Sequence, residues 1–261
     1  MDLGIAGKVA LVTAASSGLG RAMAVALAAE GVNVAVTGRN EERLQATVRA
    51  CTEHGVRATS LVWDLAEHER ADEVARSVAD ELGPVDILVN NTGGPPPTPV
   101  QGQDPQLWRD QYDSMVLPVV RLTDAVVGGM RERGWGRVIT STSSGPITPI
   151  PNLGLSNTLR ASLHAWSKTL STEIAADGVT ANVIVPGRIA TPRVESLDRA
   201  QAERENLPVE EASAKNRAGI PAGRYGSPEE YGAVAAFLAG RQAAYVTGSV
   251  VRVDGGQIPS V

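Results

Sequence analysis

Short runs of apolar residues, rich in valine, alternate along the chain with longer stretches in which apolar residues recur every three or four positions. The short runs predict buried strands, and the longer stretches predict helices with one apolar face. The predicted strands are residues 9–13, 32–37, 58–63, 85–90, 138–142, 180–185 and 249–253. The predicted helices are residues 20–30, 41–54, 66–82, 106–133, 155–177 and 228–238. This alternation predicts a single doubly wound α/β domain over residues 1–261, with a parallel seven-stranded sheet and helices on both faces.

Two segments interrupt the alternation. Residues 93–99 read Gly-Gly-Pro-Pro-Pro-Thr-Pro and cannot form a helix or a central strand, because proline lacks the backbone donor that both require. Residues 193–219 are highly charged and lie between the sixth predicted strand and the last predicted helix. Their pattern predicts one or two exposed helices, and their position makes them a candidate lid over a substrate site.

Composition narrows the expected partners and compartment. Hydrophobic residues make up 43% of the 261 residues, which suits a packed globular core. The net charge is -5 and no block of lysine and arginine stands out, so we expect neither a nucleic acid nor a membrane as a partner. No apolar run reaches the ~20 residues of a membrane helix, and the first residues lack the pattern of a signal peptide. A cytoplasmic location is therefore expected.

The single cysteine and the three histidines do not indicate a metal site. Cys51 cannot form an internal disulfide or a thiolate cluster, and we expect a half-buried helix residue there. His54, His68 and His164 lie on predicted helices without the spacing of metal ligands, which favours packing or surface roles. The sequence therefore predicts no metal.

A turn rich in glycine and serine follows the first predicted strand and opens the first predicted helix. Such a strand, turn and helix together point backbone N–H groups at a phosphate, so the segment predicts a pyrophosphate site. The predicted contacts are Thr13, Ser16, Ser17, Gly18, Leu19 and Gly20. Gly18 and Gly20 allow close approach of the backbone, as in the dinucleotide site of a Rossmann-type domain.

The end of the second predicted strand bears on the choice of cofactor. Dinucleotide sites that select NAD place an acidic residue there to hold the ribose 2′-hydroxyl. This chain has Gly38 and Arg39 instead, and the planar guanidinium group of arginine suits a 2′-phosphate. We predict NADP in preference to NAD, with an exposed role at the start of a helix as the alternative for Arg39.

These motifs, together with others farther along the chain, resemble the short-chain dehydrogenase/reductase family over about residues 6–257. The first turn is similar to the family's Thr-Gly-x-x-x-Gly-x-Gly fingerprint, except that Ala14 replaces the first glycine. If that position requires a positive φ, an alanine there costs about 1 kcal/mol. The resemblance implies further cofactor contacts in three later segments. They are Asp64 and Leu65, then Asn91, Thr92 and Gly93, then Pro186, Gly187, Ile189 and Thr191.

The same resemblance locates a chemical site from which the usual acid is missing. The family uses Asn, Ser, Tyr and Lys, of which Tyr gives a proton to the substrate carbonyl and Lys holds the nicotinamide ribose. Matched residue by residue, these positions hold Met115, Ser143, Ser156 and Arg160. The resemblance thus assigns the catalytic positions to Ser143, Ser156 and Arg160, and it also gives Arg160 the ribose of the cofactor.

The replacements change the chemistry that this site can perform. A serine hydroxyl is far too weak an acid near pH 7 to replace a tyrosine of pKa ~10. Arginine keeps the positive charge but cannot pass on a proton, and methionine cannot order a relay water. A narrower resemblance supports the matching of positions. A subgroup akin to β-ketoacyl-acyl-carrier-protein reductases shares the motifs Asn-Asn-Thr-Gly-Gly-Pro-Pro, Asn-Leu-x-Leu-Ser-Asn-x-x-Arg and Pro-Gly-x-Ile-x-Thr-x-Arg-Val.

Three functions remain open at this point. The leading hypothesis is an NADP(H)-dependent oxidoreductase that reduces a carbonyl group in a small or carrier-bound substrate. The second is a redox-neutral cyclase or isomerase that uses the same pocket, and the third is a catalytically inactive NADP(H)-binding protein. The resemblance also implies a homodimer or homotetramer in which the long helices over residues 106–133 and 155–177 pair across a two-fold axis.

Three further side chains have alternative roles. Tyr112 precedes Met115 by about one helical turn and can either face the same cleft or pack between helices. Arg188 and Arg193 flank the loop after the sixth strand, where they can clamp an anionic substrate or form ion pairs with acids of the lid.

Overall fold

Seven strands, of which the five inner ones are largely buried, form one parallel sheet in the computed structural model, which describes residues 2–260. The strands are β1 (Val9–Val12), β2 (Asn33–Gly38), β3 (Ala58–Val62), β4 (Ile87–Asn90), β5 (Gly136–Ser141), β6 (Val179–Pro186) and β7 (Val250–Val253). Their order is β3-β2-β1-β4-β5-β6-β7, so the winding reverses between β1 and β4. The predicted single α/β domain with a seven-stranded parallel sheet is confirmed. Met1 and Val261, which the domain prediction included, lie outside the described residues.

Helices connect successive strands over the described part of the chain. They are α1 (Gly18–Ala29), α2 (Glu41–Thr52), α3 (Ala71–Leu82), α4 (Pro105–Met115), α5 (Leu117–Glu132), α6 (Gly154–Ile174), α7 (Pro192–Glu205), α8 (Val209–Ala218) and α9 (Pro228–Ala239). Short 3₁₀ turns occupy His68–Arg70, Ala175–Asp177 and Arg241–Ala243. Within residues 2–260, no helix has the length and apolar character needed to span a bilayer.

Alternate residues of a strand pack against helices on opposite faces of the sheet, because side chains in a strand alternate in direction. On β1, Ala10 and Val12 pack in a core with residues of α1, α2 and α9. Val9 and Leu11 pack in a second core with residues of α3, α5 and α6. Both faces are therefore covered, and ligands of such a sheet bind at the carboxyl ends of the strands near the reversal.

Three helix predictions differ from the structure. The single helix expected over residues 106–133 is wrong, because α4 and α5 are separated at Val116. Pro118 lies in the first turn of α5, where its missing N–H is harmless, but its ring prevents the preceding residues from continuing α4. The helix expected from residue 66 begins only at Ala71, after a 3₁₀ turn, and the helix expected to reach residue 177 ends at Ile174.

One or two helices were predicted in the charged segment 193–219, and the structure has two, α7 and α8. Asn206 ends α7 with a left-handed backbone conformation at φ 52°, and Pro208 then precedes α8. The helices are not wholly exposed, because Asp198 and Ala202 of α7 and Ala212 of α8 are buried.

Cys51 was expected to be half-buried, and that expectation is wrong. Its side chain lies on α2 within the core beside β1 and is fully buried. Burial raises the pKa of the Cys51 thiol to about 11, so the thiol is protonated and unreactive at neutral pH.

Candidate active site

The turn between β1 and α1 leaves backbone N–H groups free for a ligand. Gly18 has φ +56°, and a side chain on Gly20 would lie 2.5 Å from the carbonyl oxygen of Ala14. Ser17 precedes the helix with an extended backbone, and its side chain makes no capping hydrogen bond within residues 2–260. The N–H groups at the start of α1 and the positive end of its dipole make this turn fit a pyrophosphate.

Ala14 occupies the position where the family's fingerprint has glycine. Its φ is 46°, in the left-handed region that glycine adopts without strain. Ala14 therefore does adopt the positive φ on which the expected strain depends, and the turn keeps its geometry at a conformational cost of about 1 kcal/mol.

Residues at the end of β4 support this turn. The Asn91 side-chain amide donates to the carbonyl oxygens of Thr13 and Ala14 at 3.3 and 3.2 Å. The Thr13 hydroxyl donates to the Asn91 carbonyl at 2.7 Å, so Asn91 braces the turn through both its backbone and its side chain. Thr92 Oγ1 is buried and has no hydrogen-bond partner among the described residues. That hydroxyl is a polar group suited to a bound ligand.

Arg39 lies at the carboxyl end of β2, beside the turn. Its side chain is 79% exposed, and its Nη1 atom lies 3.9 Å from Asp64 Oδ2. The other oxygen of Asp64 accepts a hydrogen bond from the backbone of Ala66 at 3.1 Å. An exposed pair at this distance holds Arg39 weakly, so its guanidinium group remains available to a phosphate. Gly38 lies against Ser16, because a side chain on Gly38 would lie 3.4 Å from Ser16 Cβ.

The loop after β6 lies over the glycine-rich turn. Thr191 Cγ2 would lie 3.7 Å from a side chain on Gly18, and the Thr191 hydroxyl accepts a hydrogen bond from Val194 at the start of α7. Ile189 is buried and forms an isolated β-bridge with Gly226. Gly187 packs so closely against Asp254 that a side chain at position 187 would clash with it. The structure therefore brings together two of the segments predicted to contact the cofactor.

Ser143 and Ser156 come from a loop and a helix that touch. Ser143 follows β5, and its Oγ accepts a hydrogen bond from the Gly145 N–H at 3.2 Å, which leaves the hydroxyl proton free. Ser156 lies in the first turn of α6, is 8% exposed, and makes no side-chain hydrogen bond with the described residues. Gly145 packs against Asn157, whose amide donates to the carbonyl of Ile150 at 2.9 Å. Two hydroxyl donors are thus available at this end of the sheet.

Arg160 joins the ends of β4 and β5. Its guanidinium group donates to the carbonyl oxygens of Ser141, Thr92 and Gly93 at 3.4, 3.3 and 2.8 Å. The side chain is 6% exposed and forms no ion pair within residues 2–260. Burial lowers the pKa of Arg160 to about 10, and the positive charge of Arg193 acts in the same direction. Arg160 therefore remains charged at pH 7, although burying a cation without an anion costs several kcal/mol.

Met115 is the residue that the family resemblance matched to the relay-anchoring asparagine. Met115 is 2% exposed and packs with Val116, Val119, Leu159 and Leu163. This apolar cluster cannot order water, so the proton relay that the resemblance implies is missing at this position. Tyr112 is 43% exposed on α4, beside a shallow depression lined by Trp108 and Leu159. The choice between the two alternatives for Tyr112 therefore stays open.

The two arginines near the lid have different surroundings. Arg188 forms an ion pair with Asp198 of α7 at 3.0 Å. Asp198 is 4% exposed and also accepts hydrogen bonds from Asn216 and Tyr225 at 2.8 and 2.7 Å. Arg193 instead makes no ion pair within the described part of the chain, and its Nη2 donates to a single carbonyl, that of Pro95, at 3.2 Å. The ion-pair alternative is correct for Arg188 alone.

Two polar contacts below the site involve residues that sequence reasoning did not select for it. His164 Nε2 lies 2.9 Å from the hydroxyl of Thr142, which is the residue before Ser143. His164 follows Arg160 by four positions on α6, and this spacing was a usable signal. Tyr231 of α9 is fully buried and lies 2.9 Å from Ser141 Oγ, a long-range contact with no local signal. Among residues 2–260, no group of three or more His, Cys, Asp or Glu could hold a metal ion.

The doubly wound sheet and the uncapped glycine-rich turn define a dinucleotide-binding type of α/β protein. Residues 13–257 match the family model described as enoyl-(acyl carrier protein) reductase. A ketoacyl reductase of Streptomyces coelicolor, named as putative, is 34% identical over 95% of this chain and 96% of its own. The 3-oxoacyl-acyl-carrier-protein reductase of Escherichia coli is 35% identical over 96% of this chain and 97% of its own. The chain belongs to the short-chain dehydrogenase/reductase family, which confirms the predicted family.

Two solved structures show the same fold over nearly the whole chain. L-sorbose reductase from Gluconobacter frateurii, complexed with NADPH and L-sorbose, has a TM-score of 0.94 and 34% identity, covering 100% of both chains. A variant of actinorhodin polyketide ketoreductase with NADPH has a TM-score of 0.92 and 33% identity, covering 97% of this chain and 98% of its own.

Proposed function

We propose that the protein is an NADPH-dependent reductase that acts on a carbonyl group in a small or carrier-bound substrate. The observation that supports this most directly is the β1–α1 turn, with Gly18 at φ +56° and Gly20 packed against the Ala14 carbonyl. The relatives with 33–35% identity include ketoacyl reductases and NADPH-bound reductases, which agrees with this function.

The residues around the turn fit NADP better than NAD. Arg39 is exposed beside the turn and can pair with a 2′-phosphate. No acid occupies the end of β2, where Gly38 and Arg39 stand. Asp64, which the resemblance assigned to the adenine, lies near Arg39 and has one oxygen free of hydrogen bonds to the described residues.

When bound, NADPH would supply the hydride for reduction of the carbonyl carbon. The chain's part is to position the substrate and stabilise the charge that develops on the carbonyl oxygen. The hydroxyls of Ser143 and Ser156 are free to donate hydrogen bonds to that oxygen, and Arg160 provides a fixed positive charge nearby. The proton then comes from water, because neither serine is acidic enough to supply it. Without a positioned acid, we expect a rate about 10²–10⁴-fold below that of a complete site.

The test of this function combines binding with turnover. Titration calorimetry with NADPH should show one site per chain, and absorbance at 340 nm should fall when a suitable ketone or 3-oxoacyl thioester is added. Ser143→Ala should slow that reaction, whereas Ser162→Ala, on the exposed face of α6, should not. If NADPH does not bind, the proposal is wrong.

A second candidate, a catalytically inactive NADP(H)-binding protein, is favoured by the surroundings of Met115 and Ser156. An apolar cluster replaces the relay anchor, and a buried hydroxyl replaces the phenol. The triple variant Met115→Asn, Ser156→Tyr, Arg160→Lys separates the candidates. Activity in this variant, together with none in the wild type for a broad carbonyl panel, would support the inactive protein. Activity in the wild type would exclude it.

The lid and the assembly are further parts of the proposal. Helices α7 and α8 connect to the loop after β6 through the Arg188–Asp198 ion pair, so movement of the lid would displace that loop. We propose that they close over the substrate.

The homodimer or homotetramer also stays a prediction, and sedimentation equilibrium would test it.

A further inference from the structure

The geometry points to a carboxylate on the substrate, close to the reacting carbonyl group, held by Arg193 of the lid together with Arg160 beneath it. The substrate class is a 2-oxo or 3-oxo acid in its free form. This inference rests on the proposed carbonyl reduction and specifies its substrate.

The first observation is an uncompensated positive charge. Arg160 and Arg193 form no ion pair with any residue from 2 to 260, whereas Arg188 is paired with Asp198 at 3.0 Å. Arg160 is 6% exposed, so water screens its charge poorly. Arg193 is exposed, so the buried charge of Arg160 is the main reason why a ligand that brings a negative charge to this place would be favoured.

The second observation is that the two guanidinium groups converge on Gly94. A side chain there would lie 3.5 Å from Arg193 Nη2 and 4.0 Å from Arg160 Nη2. They reach this point from α7 and α6. Arg160 Nη2 donates to both Thr92 and Gly93 and so contributes charge at Gly94, whereas Arg193 donates to Pro95 alone. Arg193 uses one N–H in that bond, and arginine has five. The free part of its planar group suits both oxygens of a carboxylate.

The pyrophosphate of the cofactor is a less suitable anion for this pair. The segment after β4 begins at Asn91, which braces the glycine-rich turn, and reaches α6 at Thr98, which pairs with Leu153. Arg193 meets this segment at Pro95, four residues after Asn91 and on the way to α6. We therefore assign the pair to the substrate and not to the pyrophosphate.

The spacing on α6 fixes the chemical class. Ser156 and Arg160 are four residues apart on α6 and therefore face the same side of that helix. We infer that a carbonyl at Ser156 and a carboxylate near the arginines belong to neighbouring parts of one small substrate, as in 2-oxo and 3-oxo acids. A carrier-bound 3-oxoacyl group has a neutral thioester in that place, and the phosphate of its arm is many bonds away.

The test compares acetoacetate with methyl acetoacetate, which differ in the negative charge. Both would be titrated by calorimetry into the protein saturated with NADP⁺, so that the readout does not depend on turnover. We expect acetoacetate to bind about 10–100-fold more tightly, the range of a charge-assisted contact. Arg193→Gln should remove this difference and leave the affinity for the ester and for NADP⁺ within about twofold. Arg193→Lys should restore part of it, since the charge remains but the planar group is lost.

Arg199→Gln is the matched control, because it removes one exposed arginine from the same helix. It should leave the ratio of the affinities for acetoacetate and methyl acetoacetate unchanged. Equal affinities for acid and ester in the wild type would overturn the inference. So would an Arg193→Gln variant that binds NADP⁺ at least tenfold more weakly with the ratio intact, because the arginine would then hold the cofactor. A large ratio without NADPH oxidation would support the carboxylate site and refute the proposed reduction.

Discussion

The two ends of the candidate site differ in the groups that define them. At the β1–α1 turn the ligand-binding groups are backbone N–H groups, and glycines determine their geometry. At the end formed by Ser143, Ser156 and Arg160 the groups are side chains, which can be exchanged while the helix and the loop stay in place. Under the proposed function, the chain keeps a turn whose geometry the backbone determines, while the side chains at the other end of the site differ from those implied by the family resemblance.

The largest expected effect tests the backbone-defined end. In Gly20→Ala the new methyl group would lie 2.5 Å from the Ala14 carbonyl oxygen and 2.9 Å from Asn91 Nδ2. We expect α1 to shift away from the turn, at a cost of about 1–3 kcal/mol, with NADPH affinity falling about 10–200-fold. Chemical denaturation and calorimetry measure the two losses. Gly128→Ala on α5, where a new methyl group would meet no described atom within 4 Å outside its own stretch of helix backbone, should show neither loss.

The next effect concerns the one side chain that we assign to cofactor choice. Replacing Arg39 with Asp puts an acid beside the predicted ribose, so NADPH should bind about tenfold more weakly and NADH more tightly. Arg43→Asp makes the same change of charge on the exposed side of α2 and should leave the ratio of the two dissociation constants unaltered. An unchanged ratio in the Arg39 variant would remove Arg39 from the site.

The sheet and the nucleotide-binding turn were predictable because local patterns determine them. Valine-rich runs and positions such as Gly18 and Gly20 specify strands and tight turns with little help from distant residues. The positive φ of Ala14 was stated only as a condition, since the sequence shows a residue type and not its backbone angle.

Features that depend on contacts between distant residues could not be predicted. The ion pair of Arg188 with Asp198 requires the fold of the lid, and sequence left the choice between Arg188 and Arg193 open. The break at Val116 had a visible cause in Pro118, but the apolar periodicity continues through it. Proton chemistry at Ser156 is further out of reach, because it depends on a ligand as well as on the fold.

A smaller effect follows from the strain in the turn. Ala14 has φ 46°, so Ala14→Gly should raise the free energy of unfolding by about 1 kcal/mol. Ala46→Gly, in the middle of α2, serves as the control and should lower it by about 0.5–1 kcal/mol. Urea unfolding of both variants would decide the point. A loss of stability in Ala14→Gly would show that the backbone angle at this position is not strained.

The smallest effect probes the side-chain-defined end through pH. Burial lowers the pKa of His164 below its ordinary value of 6.5, and the positive charge of Arg160 acts in the same direction. The unfolded chain therefore takes up a proton near pH 6.5 that the folded chain does not, so the free energy of unfolding should decrease as the pH falls below that value. His164→Gln keeps a donor for Thr142 without the titration and should reduce this decrease by up to about 1 kcal/mol between pH 7.5 and 5.5. His54→Gln, at an exposed position, is the control for the loss of a histidine from the chain. If the His164 variant retains the wild-type slope, neither burial nor the charge of Arg160 lowers the pKa of His164 in the folded protein.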